Sequence, residues 1–117
     1  NDAWPASHRQ VIPVEKTREN LKGIIKNFDG AKVIMWSTPP VTNPGDGEDT
    51  EEVNALLKKY NEAVREVCEE KGVAFIDSFT LYQPLIEKGV NYHTEDGIHL
   101  ENDGYKPFIE ALAKLIN

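Results

Sequence analysis

An aspartate and a histidine stand three residues apart in a short polar stretch near the end of the chain, Asp96-Gly97-Ile98-His99. A carboxylate held beside an imidazole fixes the tautomer of the ring and stabilises the imidazolium that forms when the ring takes up a proton. The pair therefore has the composition of a general base with its orienting acid. An ordinary turn with an exposed histidine would have the same four residues. The elements around this stretch decide between the two interpretations.

The surrounding sequence predicts two strands joined by a long helix. Residues 31–36 and 73–77 are short runs that are apolar almost throughout, which favours strands covered on both faces in a parallel sheet. Between them, apolar residues at spacings of three and four predict a helix from Thr50 to Lys71. Asp49 is its expected N-cap, and Gly72 is its expected left-handed stop. The three elements form a parallel unit with a right-handed connection.

Further helices are predicted outside this unit. The first runs from about Val14 to Phe28, and a short one, made irregular by Pro84, runs from Ser78 to Glu87. The last is capped by Asn102 and ends near Ile116, and its expected buried face comprises Phe108, Leu112 and Leu115. The chain is therefore predicted to be of the α/β class.

A sheet of two strands is too small to cover two runs that are this apolar. A two-stranded parallel sheet is a poor core, and neither run has the polar residues of an edge strand. We therefore expect further strands beside residues 31–36, outside these 117 residues. The chain begins with Asn1 and not with Met, which is expected of a processed, trimmed or partial chain. It has room for one domain at most.

Composition excludes several classes of function. Thirteen Lys and Arg against twenty Asp and Glu give a formal net charge of −7. Such a surface repels phosphate backbones, so nucleic acid is not an expected partner. No apolar run approaches the roughly 20 residues needed to span a bilayer, so no membrane partner is expected. Cytoplasmic and exported locations both remain open.

Metal chemistry has little support in the sequence. The single cysteine, Cys68, excludes an internal disulfide and a cysteine-based metal site. The spacings of His8, His93 and His99 match no familiar metal site. His93 is expected at the surface or at the mouth of a site. No metal and no organic cofactor are therefore expected.

Four motifs, taken in chain order, carry a resemblance to a known family. The chain opens with Asn1-Asp2, has the strand end V-I-M-W-S-T-P-P, continues with Y-N-E-A-V-R-E-V-C-E-E-K-G-V-A-F-I-D, and has D-G-I-H-L-E-N-D-G-Y before the last helix. This order resembles the later half of the SGNH (GDSL) hydrolases, and within them small esterases similar to the isoamyl-acetate-hydrolysing type. The resemblance covers essentially the whole chain.

The resemblance implies a fold and a chemistry. The fold is a three-layer α/β/α sandwich with a parallel sheet of flavodoxin-like topology, of which residues 1–117 form a single partial domain, the C-terminal portion. The reaction is hydrolysis of small carboxylic esters through a seryl ester. His99 matches the general base, Asp96 the acid that orients it, and Asn1 the amide that donates to the oxyanion.

The nucleophile of that chemistry has no match here. The family's Gly-Asp-Ser motif is absent from the chain. Ser37 ends a predicted strand but lacks the strand–turn–helix setting that exposes an attacking hydroxyl, so it is not assigned as the nucleophile. The serine is therefore expected on a missing N-terminal segment or on a second chain that completes the sheet.

The remaining expectations concern the substrate and the main alternative. Trp4, Pro40 and Tyr92 are the candidates for contact with the ester, although aromatic residues are more often part of a core. The alternative is a non-catalytic α/β fragment that acts in binding or assembly. Such a fragment would complete its sheet with a second chain along the edge of residues 31–36.

Overall fold

A two-stranded parallel sheet and the helices packed around it form the part of the chain that the computed structural model describes, residues 12–45 and 47–116. The elements, in chain order, are α1 (Val14–Asn27), β1 (Ile34–Trp36), α2 (Thr50–Lys71), β2 (Ala74–Ile76), α3 (Ser78–Glu87) and α4 (Lys106–Ile116), with a 3₁₀ turn at Asn102–Tyr105. Each predicted element is present. Within the described residues, no helix is long and apolar enough to cross a bilayer.

The two strands run parallel and are joined through α2. Ile34, Met35 and Trp36 pair with Ala74, Phe75 and Ile76. One further bond, 3.0 Å from the Ser37 amide to the Ile76 carbonyl, extends the pairing. Each strand covers three residues, so both are shorter than the predicted runs. Among the described residues β1 has β2 as its only strand neighbour, which limits how much of either run is paired.

Helix α2 has the predicted boundaries because both of its ends carry strong local signals. The Asp49 carboxylate accepts bonds from the amides of Glu51 (2.8 Å) and Glu52 (3.0 Å), as expected for an N-cap. Gly72 ends the helix with φ of 66°, the left-handed conformation that glycine adopts without steric cost. The core cluster forms along this helix and comprises Val41, Val53, Leu57, Tyr60 and Phe79.

Helix α1 lies against α2. Arg18 pairs with Glu66, and Lys22 pairs with Glu70, across the two helices. Both pairs are exposed to solvent, so each adds little stability. The predicted apolar stripe of α1 is only partly covered, since Ile24 and Phe28 are exposed.

Helix α4 leaves apolar side chains in solvent. Leu115, expected on the buried face, is 39% exposed, so that prediction is wrong for the described structure. Phe108 and Leu112 are half-buried. The reason is that α4 contacts β2 and α3, while no described strand lies beyond β1.

Candidate active site

The loop between α3 and the 3₁₀ turn, residues 93–100, is closed by backbone hydrogen bonds. His93 and Leu100 form an isolated antiparallel bridge. The Thr94 amide donates to the His99 carbonyl at 2.8 Å, and the Glu101 amide donates to the Tyr92 carbonyl at 2.9 Å. We call this segment the 93–100 loop. The hydrogen bonds that close it fix the backbone on both sides of Asp96 and His99.

Asp96 is the centre of the hydrogen bonding in this loop. Its Oδ1 accepts from the Thr94 hydroxyl (2.7 Å), the Ile98 amide (2.8 Å) and the His99 amide (2.9 Å). Its Oδ2 lies 2.6 Å from His99 Nδ1. The His99 ring is the largest cause that holds the pKa of Asp96 far below its ordinary value, followed by the Thr94 hydroxyl and the two amides. The carboxylate is therefore ionised and can only accept.

The ionised carboxylate determines the tautomer of His99. Because Asp96 accepts, Nδ1 of His99 carries a proton, and in the neutral ring the lone pair is then on Nε2. The imidazole is 76% exposed, so Nε2 is accessible to a proton donor. This tautomer of the neutral ring is the one that a general base requires.

The His99 ring borders an apolar cleft of about 210 Å³ at the ends of the two strands. The other lining residues come from β1 and its following turn, from α3, from the loop, from the 3₁₀ turn and from the start of α4: Trp36, Pro39, Ser78, Tyr82, Ile98, Leu100, Tyr105 and Phe108. Phe108 packs edge-on against Trp36, with ring centroids 5.3 Å apart. The cleft therefore places His99 where open α/β sheets bind their ligands.

Gly97 allows the tip of the loop to approach the β1–α2 connection closely. Its φ is 64°, and a Cβ atom at this position would lie 2.4 Å from the Asn43 nitrogen and 2.5 Å from its carbonyl oxygen. The Thr42 amide donates to the Gly97 carbonyl at 2.9 Å. No residue with a side chain fits between Asp96 and Ile98 without displacing backbone.

Two buried or half-buried asparagines of α2 hold the β1–α2 connection. The Asn61 side chain accepts from the Thr38 amide (2.9 Å) and donates to the Thr38 carbonyl (2.8 Å). The Asn54 side chain makes the same pair of bonds with Val41, both at 2.9 Å. Sequence reasoning missed both residues. Their spacing of seven within the apolar stripe of α2 was the available signal, because it places two polar side chains on one helix face.

The serines near the strand ends have different environments. Ser37 is 1% exposed, and its hydroxyl accepts from the Phe79 amide (3.1 Å) and donates to the Asp77 carboxylate (3.3 Å). This geometry ties the end of β1 to the start of α3 and leaves no accessible hydroxyl. The Ser78 hydroxyl is buried beside the cleft and has no hydrogen-bond partner within the described residues.

Of the six predicted site residues, the structure brings His99 and Asp96 together. Pro40 is buried, and its carbonyl oxygen lies 2.8 Å from His93 Nε2, while its neighbour Pro39 lines the His99 cleft. Tyr92 packs edge-on against Tyr82 and borders a different cavity, next to α3 and α4. Asn1 and Trp4 lie outside the described residues.

Two further predictions concerned the exposure of His93 and the absence of a metal site. His93 is 4% exposed, so the expectation that it lies at the surface or at a mouth is wrong. Its ring contacts a backbone carbonyl that is distant in sequence, and a polar sequence pattern does not reveal such a contact. In the part of the chain that the structure describes, no group of three or more His, Cys, Asp or Glu side chains is arranged to hold a metal ion.

Comparison with known proteins identifies the family. Residues 1–106 match the family model described as the GDSL-like lipase/acylhydrolase family. The chain belongs to this family. The match covers the Asn1-Asp2 opening, the Asp96–His99 pair and the elements between them, and it confirms the predicted family.

The relatives extend well beyond the length of this chain. The GDSL esterase/lipase CPRD49 of Arabidopsis thaliana is 28% identical over 106 residues, which cover 81% of this chain and 41% of that relative. The lipase/acylhydrolase from Enterococcus faecalis superposes with a TM-score of 0.74 at 26% identity, over 99% of this chain and 56% of that one. The chain therefore spans about half the length of the relatives it matches.

A second solved structure supports the fold alone. LAE5, an α/β hydrolase enzyme from the metagenome of Lake Arreo in Spain, superposes with a TM-score of 0.71 at 19% identity, over 97% of this chain and 54% of that one. Together the two structures confirm the predicted SGNH-type α/β fold for this chain.

Proposed function

We propose that this chain supplies the general base of a serine-dependent carboxylic ester hydrolase of the GDSL family. The observation that carries the proposal is the 2.6 Å hydrogen bond between Asp96 and His99, which leaves the exposed Nε2 of His99 as a proton acceptor. The nucleophilic serine lies outside these 117 residues, on additional polypeptide of the kind that the longer relatives possess.

In the proposed reaction, His99 accepts and then donates a proton in each of the two halves. Nε2 takes the proton of the serine hydroxyl as its oxygen attacks the ester carbonyl, and the imidazolium is stabilised by the Asp96 carboxylate. The same proton then passes to the departing alcohol, which leaves a seryl ester. In the second half, His99 takes a proton from water as the water oxygen attacks the seryl ester, and it passes that proton to the serine oxygen as the carboxylic acid is released. The pair contributes a rate increase of about 10²–10⁴-fold, which is typical of general-base catalysis.

Asn1 is proposed as a donor to the oxyanion that forms in both halves. The family match begins at this residue, and a side-chain amide aimed at the developing charge is worth about 3 kcal/mol. Trp4, at the same end of the chain, stays a candidate for contact with the ester. Pro40 and Tyr92 have less support as substrate contacts, because neither lines the cleft beside His99.

The additional polypeptide has a suitable surface on which to pack. Four apolar residues are between 45% and 58% exposed: Trp36, Tyr105, Ile109 and Ile116. We call these four residues, with the edge of β1 that no described strand pairs, the completion face. Tyr105 and Trp36 also line the cleft beside His99. A strand paired to β1 and a helix packed along α4 would cover this face and bring their own residues to the cleft.

The proposal is tested by assaying the chain with and without the polypeptide encoded upstream of it. The chain alone should not hydrolyse p-nitrophenyl acetate above the buffer rate, and the longer protein should. In the longer protein His99→Ala should abolish activity and Asp96→Asn should reduce it by orders of magnitude, while the neighbouring exposed Glu95→Gln should leave it unchanged. Activity that survives His99→Ala would refute the assignment.

The completion face also favours the second candidate, a fragment that acts in assembly. Exposed apolar patches frequently mark protein–protein contacts. In that case the chain would form a stable dimer or heteromeric complex through β1, and the longer protein would have no esterase activity. Light scattering of the chain, together with the assay above, separates the two candidates.

A further inference from the structure

His93 is a buried histidine that the proposed reaction does not use. Its ring is 4% exposed, and Nε2 lies 2.8 Å from the Pro40 carbonyl oxygen. A carbonyl can only accept, so Nε2 carries the proton and donates. Nδ1 is buried and has no hydrogen-bond partner within the described residues. The ring is therefore held in one neutral tautomer, the reverse of the tautomer of His99.

The position of His93 connects two parts of the candidate site. It opens the 93–100 loop and forms the backbone bridge with Leu100. Pro40 belongs to the β1–α2 connection, which Asn54 fixes to α2 through Val41. The ring of His93 thus joins the closed end of the loop to an anchored segment, while Thr42 joins the same segment to the loop tip at Gly97.

We propose that His93 is a positioning residue for His99, whose uncharged ring holds the 93–100 loop against the Pro40 carbonyl. The consequence for catalysis rests on the proposed function, but the positioning is a property of the loop and is measured without an assay of activity. Loss of this hydrogen bond frees one end of the loop. The backbone that presents the His99 ring to Asp96, and the His99 carbonyl to the Thr94 amide, is then no longer fixed.

The charges around His93 agree with a neutral ring. Burial lowers its pKa, while the bond to Pro40 and the Asp96 carboxylate act in the opposite direction with smaller effect. A second proton on Nδ1 would be a buried donor without an acceptor, which costs free energy. Protonation of His93 therefore opposes the loop conformation.

The test is imidazole ¹⁵N NMR on the 117-residue chain with two variants. His93→Phe keeps the ring volume and removes the donor, and His93→Gln keeps an N–H donor. We expect His93→Phe to weaken the His99 Nδ1–H signal and to raise Thr94 amide exchange by about tenfold, the effect of one lost hydrogen bond. His93→Gln should restore most of both, and the amides of α2 should exchange as in the wild type.

The wild-type spectrum is the second measurement and needs no variant. His93 should show the neutral form with the proton on Nε2, and it should remain neutral near pH 6.5, where an ordinary histidine is about half protonated. Titration of His93 as an ordinary exposed histidine, or a proton on its Nδ1, would overturn the proposal. So would a folded His93→Phe variant whose His99 signal and Thr94 exchange match the wild type.

Discussion

Thr42 donates its amide to the carbonyl of Gly97 across 2.9 Å, and this bond joins the β1–α2 connection to the tip of the loop that carries the Asp96–His99 pair. The two residues are 55 positions apart in sequence. The contact is possible because residue 97 has no side chain, so the backbone of Asn43 lies where a Cβ atom would be. The orientation of His99 therefore depends on a backbone contact that neither catalytic candidate makes itself.

Gly97→Ala should displace the 93–100 loop. The substitution combines a positive φ with a Cβ atom 2.4 Å from the Asn43 nitrogen, and we expect the free energy of unfolding to fall by about 2 kcal/mol or more. Gly89→Ala is the matched control, because Gly89 has φ of 79° and a Cβ atom added there would have no neighbour within 4 Å. Urea denaturation of both variants measures the difference, and equal losses would show that the close approach to Asn43 is unimportant.

Asn61→Ala should loosen the β1–α2 connection. The substitution removes both partners of the Thr38 backbone, and leaving such groups without hydrogen bonds costs about 1–3 kcal/mol. Asn61→Asp keeps the acceptor for the Thr38 amide and loses the donor. The decrease in the free energy of unfolding should therefore differ between the aspartate and alanine variants. Asn20→Ala, at an exposed position of α1, is the control for loss of an asparagine. Thermal unfolding of the three variants measures these differences. The prediction is wrong if Asn20→Ala is as destabilising as Asn61→Ala.

The elements of this fold that were predictable from sequence are those with local signals. Helix α2 has its predicted bounds because Asp49 and Gly72 specify its ends through bonds and dihedral angles within a few residues. The Asp96–His99 hydrogen bond was likewise predictable, since the two residues share one short turn.

The features that sequence did not reveal depend on distant contacts. His93 lies in a polar run that indicates a surface loop, but it is buried and its ring contacts the carbonyl of Pro40, 53 residues away. Leu115 has the correct helical spacing for a buried face, but it is 39% exposed because the described elements do not cover it. The spacing of residues predicts which face of an element is apolar, whereas burial depends on whether a neighbour is present.

Asp96 should give the loop a characteristic dependence on pH. Its pKa is lowered in the folded state, first by His99 and then by Thr94 and two amides, so the folded state binds fewer protons than the unfolded state at acidic pH. The stabilisation is therefore fully present above the unfolded pKa of about 3.9 and is lost as pH falls toward the folded value. A titration of the Asp96 carboxyl carbon by NMR should show it ionised at about pH 3.9, and Asp96→Asn should remove this part of the acid destabilisation. Half protonation of Asp96 at that pH would contradict the prediction. Glu95→Gln is the control for the Asp96→Asn variant, because it also removes one carboxyl group from the same loop.

Trp36 should report on coverage of the completion face. Its side chain is 58% exposed, so in a Trp4→Phe background its fluorescence should shift to shorter wavelength when the polypeptide encoded upstream packs on β1 and α4. Ile109→Glu places a charge on the same face and should prevent the shift, because an unpaired charge cannot be buried without a large cost. Ile24→Glu is the matched control and should leave the shift intact. Ile24 is an exposed apolar residue of α1, and α1 packs against α2. A shift that survives Ile109→Glu, or that both variants abolish equally, would place the docking surface elsewhere on the molecule.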